Sequence, residues 1–245
     1  MEKSVLSVKD LTVSFDGYKV VDNLSFDIGE NELRVIIGPN GAGKTTVLDL
    51  ISGKTKPTAG SVKFLGQEIM GVSENQIVKL GLGRKFQTPS IFEDLTVFEN
   101  LEISFPRGRD VVGALFFKRD KEVLDRADEV ASIVYLSEVL NKDAASLSHG
   151  QKQWLEIGML LMQEPKLMML DEPVAGMTLN ERKQTAKLLN TISQGRSVIV
   201  VEHDMNFVKE VAQTVTVLHQ GAVLSEGQMA DVQNDPKVIE VYLGH

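Results

Sequence analysis

Apolar and polar positions along this chain follow two rhythms that take turns. Between Val5 and Ile28 they alternate as in strands: Val5, Val8, Leu11, Val13 and Phe15 mark one region, and Val20, Val21, Leu24, Phe26 and Ile28 the next, around a turn at Asp16-Gly17. Leu33 to Ile37 is a short apolar run that predicts a buried strand, and Val47, Leu48, Leu50 and Ile51 follow at helical spacing up to Gly53. A strand is predicted between the turns at Gly60 and Gly66. Ser73-Glu74-Asn75-Gln76 and Thr96-Val97-Phe98-Glu99 are capping boxes, opening helices that end at Gly81 and Leu101. Pro106-Arg107-Gly108-Arg109 breaks the second. Val123, Ala127, Val130 and Val134 then predict a long amphipathic helix from Phe117 to Leu140.

Past that helical stretch, strands and helices alternate again. Strands are predicted at Lys166–Leu170, Ser197–Val201 and Thr214–Leu218, and helices at Asn180–Ile192 and Met205–Ala212. Apolar strands alternating with helices imply an α/β fold with a mostly parallel sheet covered on both faces. The expected division is a core with a β subdomain at 1–88 and 161–245, interrupted by a helical subdomain at 89–160.

Composition narrows the picture in three ways. The 245 residues suffice for a sizeable core, and a net charge of −8 without a basic block leaves no nucleic-acid footprint. The chain has no cysteine, so thiolate metal sites and disulfides are excluded. The start Met1-Glu2-Lys3-Ser4 lacks the apolar core of a signal peptide, and the longest apolar run, Val111 to Phe117, falls far short of the ~20 residues a membrane span needs. Membrane association would therefore come through a partner.

The chemistry centres on Gly38-Pro39-Asn40-Gly41-Ala42-Gly43-Lys44-Thr45-Thr46, a G-x-x-x-x-G-K-[ST] turn between a predicted strand and a predicted helix. Its glycines let backbone N–H groups curl around a phosphate at the positive end of the new helix. Lys44 would reach the β- and γ-phosphates, and the Thr45 hydroxyl would ligate Mg²⁺. The alternative is a glycine-rich turn with a solvated lysine, which explains neither flank. The strand Leu167–Leu170 ends in Asp171-Glu172, where open α/β sheets bind ligands. Asp171 would hold Mg²⁺ through water and Glu172 would orient or deprotonate an attacking water. Leu147-Ser148-His149-Gly150-Gln151 opens a further helix, and Ser148 to Gln151 is also a capping box.

These motifs together resemble the ATP-binding-cassette (ABC) family over nearly the whole chain. Leu-Ser-x-Gly-Gln resembles its signature, Gln87 its glutamine loop, and His203 its switch histidine. Phe15 stands where that family stacks an aromatic on adenine, with Tyr18 as competitor. The resemblance implies a P-loop NTPase fold with a mostly parallel core sheet, a small antiparallel β subdomain and an inserted helical subdomain. It implies ATP and Mg²⁺ as ligands, with Thr45, Gln87 and Asp171 near the metal and Lys44, Gln87, Glu172 and His203 in catalysis. Two subunits, identical or sisters, would face head to tail, so that Ser148, Gly150 and Gln151 of one clamp the γ-phosphate held by Lys44 of the other. Two positions depart from the pattern: His149 replaces the first signature glycine, and Thr178 replaces the aspartate that couples the two sites.

Within the family, Arg84-Lys85-Phe86-Gln87, Phe92 to Leu101, Glu202-His203-Asp204-Met205 and Asp235 to Gly244 resemble importers of branched-chain amino acids and urea. Ser148 to Gly158 and Pro173 to Thr178 look most like the urea-uptake ATP-binding subunit. The expected role is ATP hydrolysis driving urea uptake through a separate permease at the cytoplasmic face of the membrane, served indirectly by a solute-binding protein. The residues from Gln87 to Leu101 would form the docking surface. The rival readings are the same role for branched-chain amino acids and a non-transport ABC ATPase.

Overall fold

In the computed structural model, which describes residues 4–87, 90–106 and 120–243, the strands sort into two sheets. The first runs β2–β1–β4–β5, made of Ser4–Phe15 (β1), Tyr18–Gly29 (β2), Ala59–Phe64 (β4) and Gln67–Glu68 (β5), with antiparallel pairing throughout. The second runs β10–β9–β3–β8–β7–β6. It contains Leu33–Ile37 (β3), Leu82–Lys85 (β6), Leu167–Asp171 (β7), Ser197–Val201 (β8), Thr214–His219 (β9) and Ala222–Gly227 (β10). Strands β9, β3, β8 and β7 are mutually parallel, and β10 closes one edge antiparallel. The expected α/β fold with its antiparallel accessory sheet is therefore present.

Every side chain of β3, β7 and β8 is buried, as continuous apolar runs in a covered parallel sheet demand. Within β3 the exception in character is Arg34, 5% exposed. Burial of its guanidinium is tolerated because its donors are taken up: by Glu32 Oε1 at 2.6 Å, Thr216 Oγ1 at 2.8 Å, the Asp27 carbonyl at 3.0 Å, and Glu226.

The helices are Lys44–Ile51 (α1), Glu74–Lys79 (α2), Val97–Ser104 (α3), Lys121–Ile133 (α4), His149–Leu161 (α5), Leu179–Ile192 (α6), Met205–Val211 (α7), Met229–Val232 (α8) and Pro236–Leu243 (α9). Both predicted capping boxes at Ser73 and Thr96 form. The helix expected to run to Leu140 stops earlier. Tyr135 takes φ +60°, and Leu136 N–H donates to the Ala131 carbonyl at 2.8 Å, a Schellman-type end built on a non-glycine residue. Edge-on packing of the Tyr135 ring on Trp154, with centroids 5.5 Å apart, holds that conformation. The expected break at Arg107–Arg109, the run Val111–Phe117 and the first residues of the expected long helix lie outside the described residues, as do Met1–Lys3 and Gly244.

The chain forms two compact units. One comprises Met1–Arg84, Lys166–Pro173 and Leu189–His245; the other Lys85–Pro165 and Val174–Leu188. Within the second, Lys85, fully buried, lies 3.3 Å from Glu156 Oε2 and donates to the Phe86 carbonyl at 3.0 Å. Glu156 Oε1 accepts from Ser90 N–H at 3.2 Å. A buried ion pair thus ties the segment around Gln87 to α5. Burial pushes the Glu156 carboxyl above its usual range, and Lys85 partly offsets this.

Lys85→Met should leave that carboxylate buried and unpaired, costing about 3–5 kcal/mol at neutral pH. The Glu156 pKa is raised on folding, so its penalty is absent below the unfolded carboxyl range and grows as pH rises through the folded one. Urea denaturation at pH 5 and pH 8 should accordingly show a smaller deficit in acid. Equal deficits at both would mean Lys85 contributes packing rather than charge.

Candidate functional site

The site is assembled where β3, β8 and β7 end together. Their parallel register pairs Ile36 with Val201 and Asp171 with Val201, so the residues following each strand emerge side by side. From β3 comes the loop Gly38–Gly43, from β7 the pair Asp171-Glu172, and from β8 Glu202-His203.

The loop needs its glycines at defined places. A Cβ on Gly38 would run into the Leu218 carbonyl, because β9 passes directly beside it. Gly43 takes φ +96° and a Cβ there would lie 2.8 Å from the Val20 carbonyl. At Gly41 φ is +80° with open space around it, leaving the backbone accessible to a ligand. The loop is braced from outside as well. Gly221 N–H donates to the Ala42 carbonyl at 3.1 Å, and the Gly221 carbonyl accepts from Asp22 N–H at 3.0 Å.

Lys44 Nζ lies over the mouth of the loop, donating to the Gly38 carbonyl at 2.8 Å and the Pro39 carbonyl at 3.0 Å. Desolvation lowers its pKa, opposed by the negative charges of Glu172 and Asp171. Those two carboxylates therefore act on the ammonium that would meet phosphate. Thr45 is exposed at the first turn of α1, beside it in sequence. Asp171 is buried at the end of β7, whereas Glu172 is partly open. Glu172 takes φ +47°, uncommon for a residue with a Cβ, and its N–H donates to the Val201 carbonyl at 2.9 Å. This left-handed turn lifts the chain off β7 at the point where its carboxylate is offered. Glu172 Oε1 lies 3.4 Å from His203 Nδ1, and His203 N–H is anchored on Glu202 Oε2 at 3.1 Å.

Among the described residues, no cluster of three His, Cys, Asp or Glu side chains could hold a metal alone. One buried carboxylate and one exposed hydroxyl instead fit an ion carried largely by substrate phosphates, the usual condition of Mg²⁺. Phe15 is 48% exposed at the end of β1, paired with Tyr18 across the turn. An open ring there is available to stack on a base.

The remaining expected residues belong to the second unit. Gln87 is exposed just past β6. Ser148 caps α5 by accepting from Gln151 N–H at 3.2 Å, while Gln151 Oε1 accepts from Ser148 N–H at 3.0 Å. His149, the departure in the signature, has its ring Nε2 3.0 Å from the Ala175 carbonyl. Thr178 caps α6 reciprocally with Glu181.

The sequence reading missed the Gly221 brace, the buried charge of Lys85 and the reach of Glu181 to Ser148. Only Glu181 left a trace, since Thr178 to Glu181 is itself a T-x-x-E pattern.

Comparison with known proteins agrees with this geometry. Residues 21–175 match the family described as ABC transporter, and residues 222–245 match the branched-chain amino acid ATP-binding cassette transporter family. The high-affinity branched-chain amino acid transport ATP-binding protein of Pseudomonas aeruginosa is 35% identical, over 100% of this chain and 99% of its own. Its Escherichia coli counterpart is 34% identical with the same coverage. Among solved structures, the ADP conformation of an ATP-binding cassette of an ABC transporter superposes with a TM-score of 0.86 at 30% identity, covering 99% of each chain. A dimeric cassette in a post-hydrolysis state, bound to ADP and Pi, gives 0.76 at 25% identity over 91% of this chain and 98% of its own.

The geometry makes Glu172 and Lys44 separable by experiment. Glu172→Gln should retain MgATP binding and lose ~10²–10⁴-fold in hydrolysis, the usual cost of removing a general base. Lys44→Ala should lose binding and turnover together. Equilibrium binding of a fluorescent ATP analogue alongside phosphate release separates the two, and near-normal turnover in Glu172→Gln would remove that residue from the chemistry.

Proposed function

The chain belongs to the ABC transporter family of ATP-binding proteins, and from that premise we propose that it energises import of branched-chain amino acids through a separate membrane permease. ATP hydrolysis is its reaction. The observation that carries the site reading is the common end of β3, β8 and β7, which sets the phosphate loop, Asp171-Glu172 and His203 abreast.

In this reading, the Gly38–Gly43 amides and Lys44 hold the β- and γ-phosphates, and Phe15 takes the adenine. Thr45 and Asp171, with Gln87, would hold Mg²⁺, which when bound neutralises charge building on the phosphates. Glu172 accepts the proton of the attacking water. His203, 3.4 Å from Glu172, fixes that carboxylate and senses the phosphate. Ser148, Gly150 and Gln151 serve the nucleotide of a facing cassette, identical or a sister. The segment from Gln87 to Leu101 docks the permease, and a solute-binding protein delivers the solute. Its proposed place, following the permease it would serve, is peripheral, at the cytoplasmic face of the membrane; no helix among the described residues is long and apolar enough to cross a membrane.

For the solute, the order expected from the signature stretch reverses. The relatives at 35% and 34% identity are named for branched-chain amino acids, and the C-terminal residues match that branch. Urea is the second reading, carried by Ser148–Gly158 and Pro173–Thr178. Nothing in the site geometry reads the solute, because every site residue is directed at a nucleotide.

Deleting the chain from its native cell should abolish high-affinity uptake of labelled leucine and spare urea uptake. Loss of urea uptake alone would move the assignment to the second reading. Loss of neither would overturn the importer role.

A further inference from the structure

Thr178 stands where a coupling aspartate is expected, and the structure supplies a carboxylate to that place from three residues on. Glu181 Oε2 accepts from Thr178 N–H at 2.9 Å and from the Thr178 hydroxyl at 2.8 Å. Its other oxygen, Oε1, accepts from the Ser148 hydroxyl at 3.2 Å. It also lies against Gly150: a Cβ on residue 150 would be only 2.5 Å from the Glu181 carboxyl carbon. One carboxylate is thus shared between the start of α6 and the start of α5, and it occupies the face of Gly150 that the absent side chain leaves open. The Thr178 donors, then Ser148 and His149, hold its carboxyl below the usual range against a smaller desolvation effect, so it is an anion at neutral pH.

We propose that Glu181 is a positioning residue that sets how readily the signature accepts the phosphate of a facing subunit. This rests on the reading of Ser148 and Gly150 as a clamp for that phosphate. Ser148 has one hydroxyl proton to donate, and Glu181 takes it. An arriving phosphate must draw the hydroxyl away and settle beside a fixed negative charge. Because the same carboxylate caps α6 through Thr178, its displacement is passed to the segment that follows Glu172 in the chain. Thr178 is then compatible with coupling, the charge being furnished by Glu181.

The test uses the Glu172→Gln chain, alone and with its sister cassette, and reads ATP-dependent dimerisation by light scattering. Glu181→Gln keeps an oxygen for the Thr178 cap and removes the charge. The ATP concentration for half-dimerisation should fall about fivefold to tenfold, the effect of one like charge ~4 Å from phosphate in water-like surroundings. The gain should largely vanish in ~1 M salt, where charges are screened beyond ~3 Å. Glu181→Ala should likewise tighten the dimer while lowering the melting temperature through loss of the cap. A residue that served only as a cap would leave the dimer unchanged or weakened in both variants; that result, with folding intact by circular dichroism, overturns the proposal. The underlying reading fails separately, and visibly. If Ser148→Arg still permits ATP-dependent dimers, or if no ATP-dependent dimer forms with either partner, Ser148 is a helix cap and no clamp.

Discussion

Parallel hydrogen bonding holds Leu33–Ile37, Ser197–Val201 and Leu167–Asp171 abreast, and every side chain on them is buried. A parallel sheet of this kind has no slack in register. A slip by one residue would carry the polar residues that flank each apolar run into the buried positions of the sheet. The chemistry inherits this constraint directly. Gly38, Glu172 and Glu202 each follow a strand whose length and register are set by burial, so their mutual placement is settled by packing remote from any ligand. Close approach of β9 adds the requirement for glycine at position 38, since the Leu218 carbonyl fills the space a Cβ would take.

Most of this was legible from residue order. The strands of the core sheet are apolar runs bounded by turn residues, and the phosphate loop carries its own flanks. Strands β5, β6 and β10 were not predicted, for a physical reason: β5 has two residues, β6 contains Arg84 and Lys85, and β10 is only half-buried at a sheet edge. None shows a period that a reader of sequence could use. The end of α4 lies short of the expected one because its apolar spacing continues through Val134, while the turn depends on a left-handed Tyr135 packed against Trp154, an aromatic neighbour distant in sequence. Contacts of that kind have no signature in local pattern.

The site shows the same division. Residues that recur as motifs, such as Lys44, Asp171, Glu172 and Ser148, could be named beforehand because phosphate chemistry constrains residue type and spacing together. Lys85 could not. A lysine before Phe86-Gln87 reads as a solvated charge, and only the structure reveals it buried against Glu156. The solute was misordered for a different reason. The signature residues form a helix cap and would meet a nucleotide, so their likeness to one importer or another is a weak witness to what passes through a permease.

The Gly221 brace has a bearing on how the protein is made. The phosphate loop is complete as sequence after 46 residues, yet its Ala42 carbonyl is held by residue 221, and its strand lies between partners that begin at residues 197 and 214. Contacts spanning some 160–180 residues close late in folding, since loop entropy must be met before they form. During synthesis, the motif therefore leaves the ribosome long before the pocket exists. A nascent or prematurely terminated chain carries the lysine and glycines of an ATPase without the walls that shape them. Nucleotide capture is thereby deferred until nearly the entire polypeptide has emerged.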